Sequence, residues 1–464
     1  MPSRQDQLHS YQFMVQRVVA ALVMRETDPA QSPFRRAAGA TLASLLIAAI
    51  AIGGAAVYGL FAGGGGTGWR DPGVVIVEKE TGARYVYRDG KLHAVLNYAS
   101  ALLIVEAAAP KTMLVSRESL EGVPRGTPLG IPNAPDSLPA PDQLANGPWT
   151  VCSFLHSAQG RDEARSVLAM SGELTDGEPL GDAGVLAVHP EGELFLLWQN
   201  RRYQIRNKSL VLAALTWTSE RPVTVAPALL NALPAGADLG RIPIPGRGAP
   251  SAAVPGATIG EVFVVERQGG GRQYAVARRD GLSNITELQA NLILTDLGQD
   301  DPTPLSQARF AELRKLPDLL PTDDAALPAT TPKLVRADQG GLCGQVRDEK
   351  GVTEVRVGAS VPELAGAAAT GARSTEGGVL ADHVLVPPGR GLLVEAVAAP
   401  GAEGGTVSVV TDLGRRHALA TSEVQAMLGY GAVAPVRMPA SLVSLIPAGR
   451  ALDPSAAKAM VEST

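Results

Sequence analysis

From Ala37 to Ala62 the chain reads AAGATLASLLIAAIAIGGAAVYGLFA without one charged residue, and this run decides on which side of a membrane every other segment works. A helix rises about 1.5 Å per residue, so a bilayer core needs about 20 apolar residues, and this run can cross with some tilt. A buried core helix is usually shorter, and the apolar region of a secretory signal spans only about 7–15 residues. The 36-residue head ahead of the run is also longer than a signal requires, so a retained single-pass anchor is expected. Ahead of it Arg4, Arg17, Arg25, Arg35 and Arg36 stand against Asp6, Glu26 and Asp28; beyond it GGGGTGWRDPG brings only Arg70 and Asp71. Basic flanks stay in the cytoplasm, which predicts a cytoplasmic N-terminus, an exported C-terminal domain, and Trp69 in or near the far headgroup layer. Of 41 basic and 46 acidic residues the head takes five and three, leaving everything from Ala37 onward at net −7, the wrong sign for nucleic-acid binding.

Both cysteines, Cys152 and Cys343, fall on the side where a disulfide persists. Pairing them is the economical reading, and a crosslink closing about 190 residues restricts the unfolded chain by up to roughly 5 kcal/mol in the entropic account. Two buried thiols are the alternative.

Four segments of the exported region share one grammar: a β-type run, a turn, a second β-type run, and a short helix. The first runs from Val74 to Val105, the second from Val185 to Trp217, the third from Val262 to Leu294 and the fourth from Thr406 to Tyr430. A second signature follows three of them: Pro124-Arg125-Gly126, Pro234-Ala235-Gly236 and Pro447-Ala448-Gly449, each behind an apolar residue and a predicted helical turn. The third unit departs, with Leu316-Pro317-Asp318 and no glycine. The stretches that do not fit, about 147–180 and 333–400, carry one cysteine each and predict a β-rich central domain assembled from two distant segments. The expected fold is therefore a single-pass membrane protein with an α+β exported domain, in which four β-β-α repeats flank that central domain. Its divisions are a head (1–36), the anchor (37–62), a linker (63–72), repeats at 73–140, 181–248, 257–330 and 404–464, and the two central parts. Aromatic residues make up only 4% of the chain, so packing relies on Val, Leu and Ala.

In the head, Leu8, Tyr11, Val15, Val18 and Leu22 share one helical face, with Gln12, Gln16 and Arg25 elsewhere and Asp28-Pro29 as the expected end. A stripe on a segment too short to make its own core must bury itself against a partner or a membrane surface. The head's small net positive charge favours a protein partner. The head RQDQLHSYQFMVQRVVAALV from Arg4 to Val23, followed by Asp28-Pro29 and Pro33-Phe34-Arg35-Arg36, resembles EccB, as do the GWRDPGVVIVEKETGARYVY entry into the first repeat and the two-cysteine exported domain. EccB is the membrane-anchored component of type VII secretion systems in actinobacteria. The resemblance implies an inner-membrane structural subunit joined to EccC, the FtsK/SpoIIIE-type motor ATPase, and to EccD and EccE. It also implies an elongated exported domain that self-associates above a hexameric assembly, where the MycP protease can join.

Some members of that family are labelled ATPases, yet no G-x-x-x-x-G-K-[ST] phosphate loop occurs. Gly63, Gly65 and Gly68 satisfy G-x-G-x-x-G but follow a membrane helix and read as an exit linker. His9, His93, His156, His189, His383 and His417 lack the close spacing of helical metal ligands, and no G-x-S-x-G elbow is present. The sequence thus predicts no catalytic residue, no cofactor and no metal. A structural secretion subunit is the leading reading, with a nucleotide hydrolase and an exported wall-polymer or substrate-binding module as the alternatives.

Overall fold

The computed structural model describes residues 3–24, 33–62, 67–108, 110–158, 160–170, 172–320, 326–337 and 340–460. Two helices come first, Arg4–Met24 and Pro33–Ala62. The second contains the one candidate membrane span among the described residues, Ala38–Ala55, none of it buried in the protein. Its helix begins before the uncharged run and ends with it. Arg25 and Asp28-Pro29, assigned above to the end of the head helix, lie outside the described residues.

Five sheets follow. Three four-stranded sheets and one five-stranded sheet share a plan: three antiparallel strands, a helix packed on one face, then a strand that returns parallel to the first. In the first small sheet Val74–Glu78 pairs with Arg84–Arg88 and, in parallel, with Lys111–Val115, while Lys91–Ala94 forms the other edge. Turn residues explain the hairpins, since Gly82, Asp89 and Gly90 all adopt the left-handed conformation that tight reversals need. The helix Tyr98–Val105 starts where the Asn97 side chain accepts from the Ser100 N–H, and in the third sheet Thr286 and Gln289 form a reciprocal capping box. The parallel return strand was not anticipated from sequence; in the second sheet it is only Val223–Thr224, too short to leave a pattern.

The fourth small sheet corrects a boundary. Leu392–Val397, assigned above to the central part 333–400, pairs antiparallel with Thr406–Val410 and parallel with Val436–Pro439. It is the first strand of that sheet, not part of the centre, because its period-2 apolar pattern divides between two cores. Leu392 and Val394 enter one and Leu393 the other.

The same division sets the architecture. In the second sheet Val185, Ala187, Phe195 and Leu197 face the central core, whereas Leu186 and Leu196 face the third sheet. The first and fourth sheets close on each other through Val75, Val86, Leu393 and Val409 with their helices between. The units therefore pair first with fourth and second with third. The second and fourth turn their other faces inward to a common core with the central sheet. The outer faces of the first and third sheets have small cores of their own.

Trp69 belongs to the first of these outer cores. Its ring is 3% exposed and meets Tyr87 edge-on at 5.6 Å, so it is packed in protein and not open to lipid. The Thr67–Arg70 turn around it also shortens the expected 63–72 linker.

The Pro-x-Gly signature has a geometric cause. Gly126, Gly236 and Gly449 each donate to the third strand of their sheet, at Leu92, Arg202 and Arg416 O over 2.7–2.9 Å. A Cβ on these glycines would stand 2.2 Å from the rings of His93, Tyr203 and His417 respectively. His93 Nδ1 then bonds Thr127 O and His417 Nδ1 bonds Arg450 O, both at 2.9 Å. In the third sheet Ser283 holds the ring position and its hydroxyl donates to the matching carbonyl, Pro317 O, at 2.8 Å. With no ring to cover, Leu316 replaces glycine.

Candidate functional site

The head is one candidate contact surface. Leu8, Tyr11, Val15, Val18 and Leu22 are all exposed along one face of Arg4–Met24. Phe13, Met14 and Val23 are exposed as well, which makes the uncovered apolar surface broader than the single stripe read from spacing. Ala20 is buried. Ala38–Ala55 of the second helix is equally open, and a Cβ added at Gly39, Gly53 or Gly54 would meet nothing within 4 Å, so small-residue faces are available for close helix contact.

The second surface is the β-rich array, held together at its centre. The central seven-stranded sheet takes its strands from two distant stretches, among them Trp149–Ala158 and Arg161–Met170 from one and Gly341–Val346 and Val352–Ala359 from the other. Cys152 and Cys343 are direct cross-strand partners and are joined as a disulfide on the face turned away from the common core. A second connection between the same stretches is polar. The Asp382 carboxylate accepts from the Ser166 N–H at 2.8 Å, the Ser166 hydroxyl at 2.6 Å and Arg165 at 3.1 Å.

Each inner unit is fastened to this centre by side chains. On the second unit's side the Ser153 hydroxyl accepts from the Ala226 N–H at 2.9 Å, and Asn200 donates to Thr353 O at 2.9 Å. On the fourth unit's side Arg437 bridges Glu349 and Glu395, and the Arg437 guanidinium, with a bond from the Gly401 N–H, holds the Glu349 carboxyl below its ordinary range. The outer units are held by their partners. The Tyr430 hydroxyl donates to Pro139 O at 2.7 Å and Lys458 pairs with Glu106 at 2.5 Å, while Asp296 accepts from both Arg241 and Arg247. Burial raises the Tyr430 phenol above its usual value and lowers the His417 imidazole below its own, so both groups stay neutral as hydrogen-bond donors.

The remaining sequence candidates do not converge. Among the described residues no group of three or more His, Cys, Asp and Glu is arranged to hold a metal ion. His156 lies on the same strand as the disulfide-bonded Cys152, and His189 Nδ1 accepts from the Glu191 N–H in a turn. Gly63 and Gly65 lie outside the described residues, and Gly68 is in the turn that carries Trp69.

A family model described as "Type VII secretion system ESX-1, transport TM domain B" matches residues 1–464. The chain belongs to the EccB family. Curated EccB relatives include the ESX-3 secretion system ATPase EccB3 of Mycolicibacterium smegmatis, 29% identical over 96% of this chain and 88% of that protein. The ESX-2 secretion system ATPase EccB2 of Mycobacterium tuberculosis is 30% identical over 63% of this chain and 59% of its own length. Among solved structures, a chain of an intact ESX-5 inner membrane complex aligns with all of this chain and 96% of its own at 24% identity, with a TM-score of 0.68. The EccB3 dimer from the ESX-3 core complex aligns with 83% of this chain and 99% of its own at 26% identity, with a TM-score of 0.65. The EccB fold thus accounts for the β-rich domain and the single apolar helix together.

Proposed function

We propose that this chain is a structural subunit of a type VII secretion inner-membrane complex, supporting protein export by holding an exported array over an anchored cytoplasmic head. The observation that carries the reading is the family match along the whole chain, from head through anchor to array. In this reading the head binds the cytoplasmic and membrane components EccC, EccD and EccE through Leu8, Tyr11, Val15, Val18 and Leu22. The anchor crosses the cytoplasmic membrane once with the N-terminus inside. The exported domain self-associates, as the relative solved as an EccB3 dimer does, within a hexameric complex that MycP can join. The four small sheets are repeats of one unit around a central domain, and the Cys152–Cys343 disulfide belongs to an oxidising compartment.

Mild-detergent extraction through a tag on this chain, with identification of the co-purifying proteins, tests the assignment. Recovery of the motor and membrane components supports it, and recovery of the chain alone overturns it. Deleting residues 1–30 disperses the complex if the head is the cytoplasmic contact. A second reading, nucleotide hydrolysis, is favoured only by the word ATPase in the relatives' names. Turnover of ATP by the purified chain, free of any motor subunit and abolished by one substitution, would establish it.

A further inference from the structure

One backbone position recurs in all four small sheets and separates them into two kinds. It is the third-strand residue whose N–H donates to the carbonyl before the tail: Leu92 to Pro124 O, Arg202 to Pro234 O, Leu282 to Arg314 O and Arg416 to Pro447 O, over 2.8–3.0 Å. In the outer units it is leucine, fully buried in that unit's own small core. In the inner units it is arginine, on the face turned to the molecular centre.

Both arginines are half-buried, and neither is in an ion pair among the described residues. Arg416 donates through Nε to Ile446 O at 3.0 Å, and Arg202 donates through Nη1 to Asn231 Oδ1 at 3.3 Å. Most of the five N–H groups of each fork therefore remain uncommitted. Burial lowers the pKa of both groups, and Glu193 offsets this at Arg202 only from beyond contact range. A desolvated guanidinium without a carboxylate is costly, and at equivalent positions the same backbone accommodates leucine.

Arg416 and Asn231 line one cleft of about 570 Å³, which lies where the second and fourth units approach each other. A hairpin from Thr370 to Ala381 borders it and is tied to both sides: Arg373 pairs with Glu191 at 3.0 Å, and the Ala381 N–H donates to Leu445 O at 3.0 Å. Arg373 and Arg415 line it together with Arg416, and Glu376 is the one carboxylate among the residues that line it.

We propose that this cleft is a binding site for a phosphate-bearing anion, with Arg416 as its recognition group and Arg202, bonded to the lining Asn231, as the group that positions that wall. The planar guanidinium fork of Arg416 matches the oxygen edges of phosphate, and Arg415 beside it adds charge to the same wall. The site goes beyond the assembly role and does not depend on it.

The test uses the full-length chain in detergent, titrated calorimetrically with sodium pyrophosphate at constant ionic strength. Saturable binding is expected, weakened at least about tenfold by Arg416→Gln, and less by Arg416→Lys and by Arg202→Gln. A glycerol-phosphate oligomer in a parallel titration separates the sources: tighter binding of the oligomer points to a polymer ligand, and tighter binding of pyrophosphate to a free one. In the unmutated chain, pyrophosphate should protect Arg416 from phenylglyoxal, read by mass spectrometry, so the result does not rest on variants folding. No binding by the unmutated chain, undiminished binding by Arg416→Gln, or Arg416 labelling unchanged by pyrophosphate overturns the proposal.

Discussion

The inner units, second and fourth, and the outer units, first and third, are built to one strand plan yet solve burial differently. An inner sheet is covered on both faces, one by its paired outer unit and one by the shared centre. An outer sheet has only its partner on one side and must close the other with its own residues, as Trp69, Ile76, Leu92 and Leu120 do in the first unit. The same third-strand position is therefore a core residue in one setting and a rim residue in the other. Topology does not decide what a position is for; its neighbours do.

The sharpest way to break this contrast is to exchange the residues. Leu92→Arg should destabilise the first unit by about 3–5 kcal/mol, because it strands a charge in an apolar core, whereas Arg416→Leu should change stability by no more than about 1 kcal/mol. Thermal unfolding of the detergent-solubilised chain followed by tryptophan fluorescence measures both, and equal losses would erase the distinction between rim and core. Replacing Cys152 and Cys343 together by Ala should cost about 2–5 kcal/mol. Hydrogen exchange should then rise first in the inner units, which rest on the crosslinked sheet; a uniform rise would show that the outer units depend on it as directly.

A smaller effect compares two equivalent glycines. Gly449→Ala should cost about 1–3 kcal/mol because its Cβ drives into the buried His417 ring. Gly126→Ala should cost less, because His93 is more exposed and its ring can move aside. Adding His417→Ser should recover part of the Gly449→Ala loss, reproducing the solution of the third unit, and a strictly additive double variant would refute that account.

The smallest effect is titration. Burial holds the folded-state pKa of His417 below its unfolded value, so the unfolded chain takes up this proton first on acidification. The ring's contribution to stability is whole above about pH 6.5 and declines as the pH falls from there toward the folded pKa. Acid denaturation of His417→Ser should lack that component.

Much of the plan was legible in the residues. Hairpins announced themselves through Gly82 and Asp89-Gly90, the tails through Pro-x-Gly, and the anchor through its unbroken apolar run. The pairing of units was not legible, because a strand such as Gly184–Val188 is apolar at nearly every position and its period-2 signal is saturated. Leu392–Val397 was lost to the centre because a loop rich in Gly and Ala separates it from its partner strand. A tryptophan beside a membrane span is usually an interfacial residue, and only the fold shows that Trp69 packs edge-on against Tyr87. For the head, spacing located one apolar face but not the exposed Phe13 on the side opposite it.

The bond between Cys152 and Cys343 encloses the second and third units in one covalent ring. A single protease cut anywhere inside that ring leaves the chain in one piece, and fragments separate only after reduction. Either unit in the ring can therefore be nicked without detaching the fourth unit from the N-terminal end.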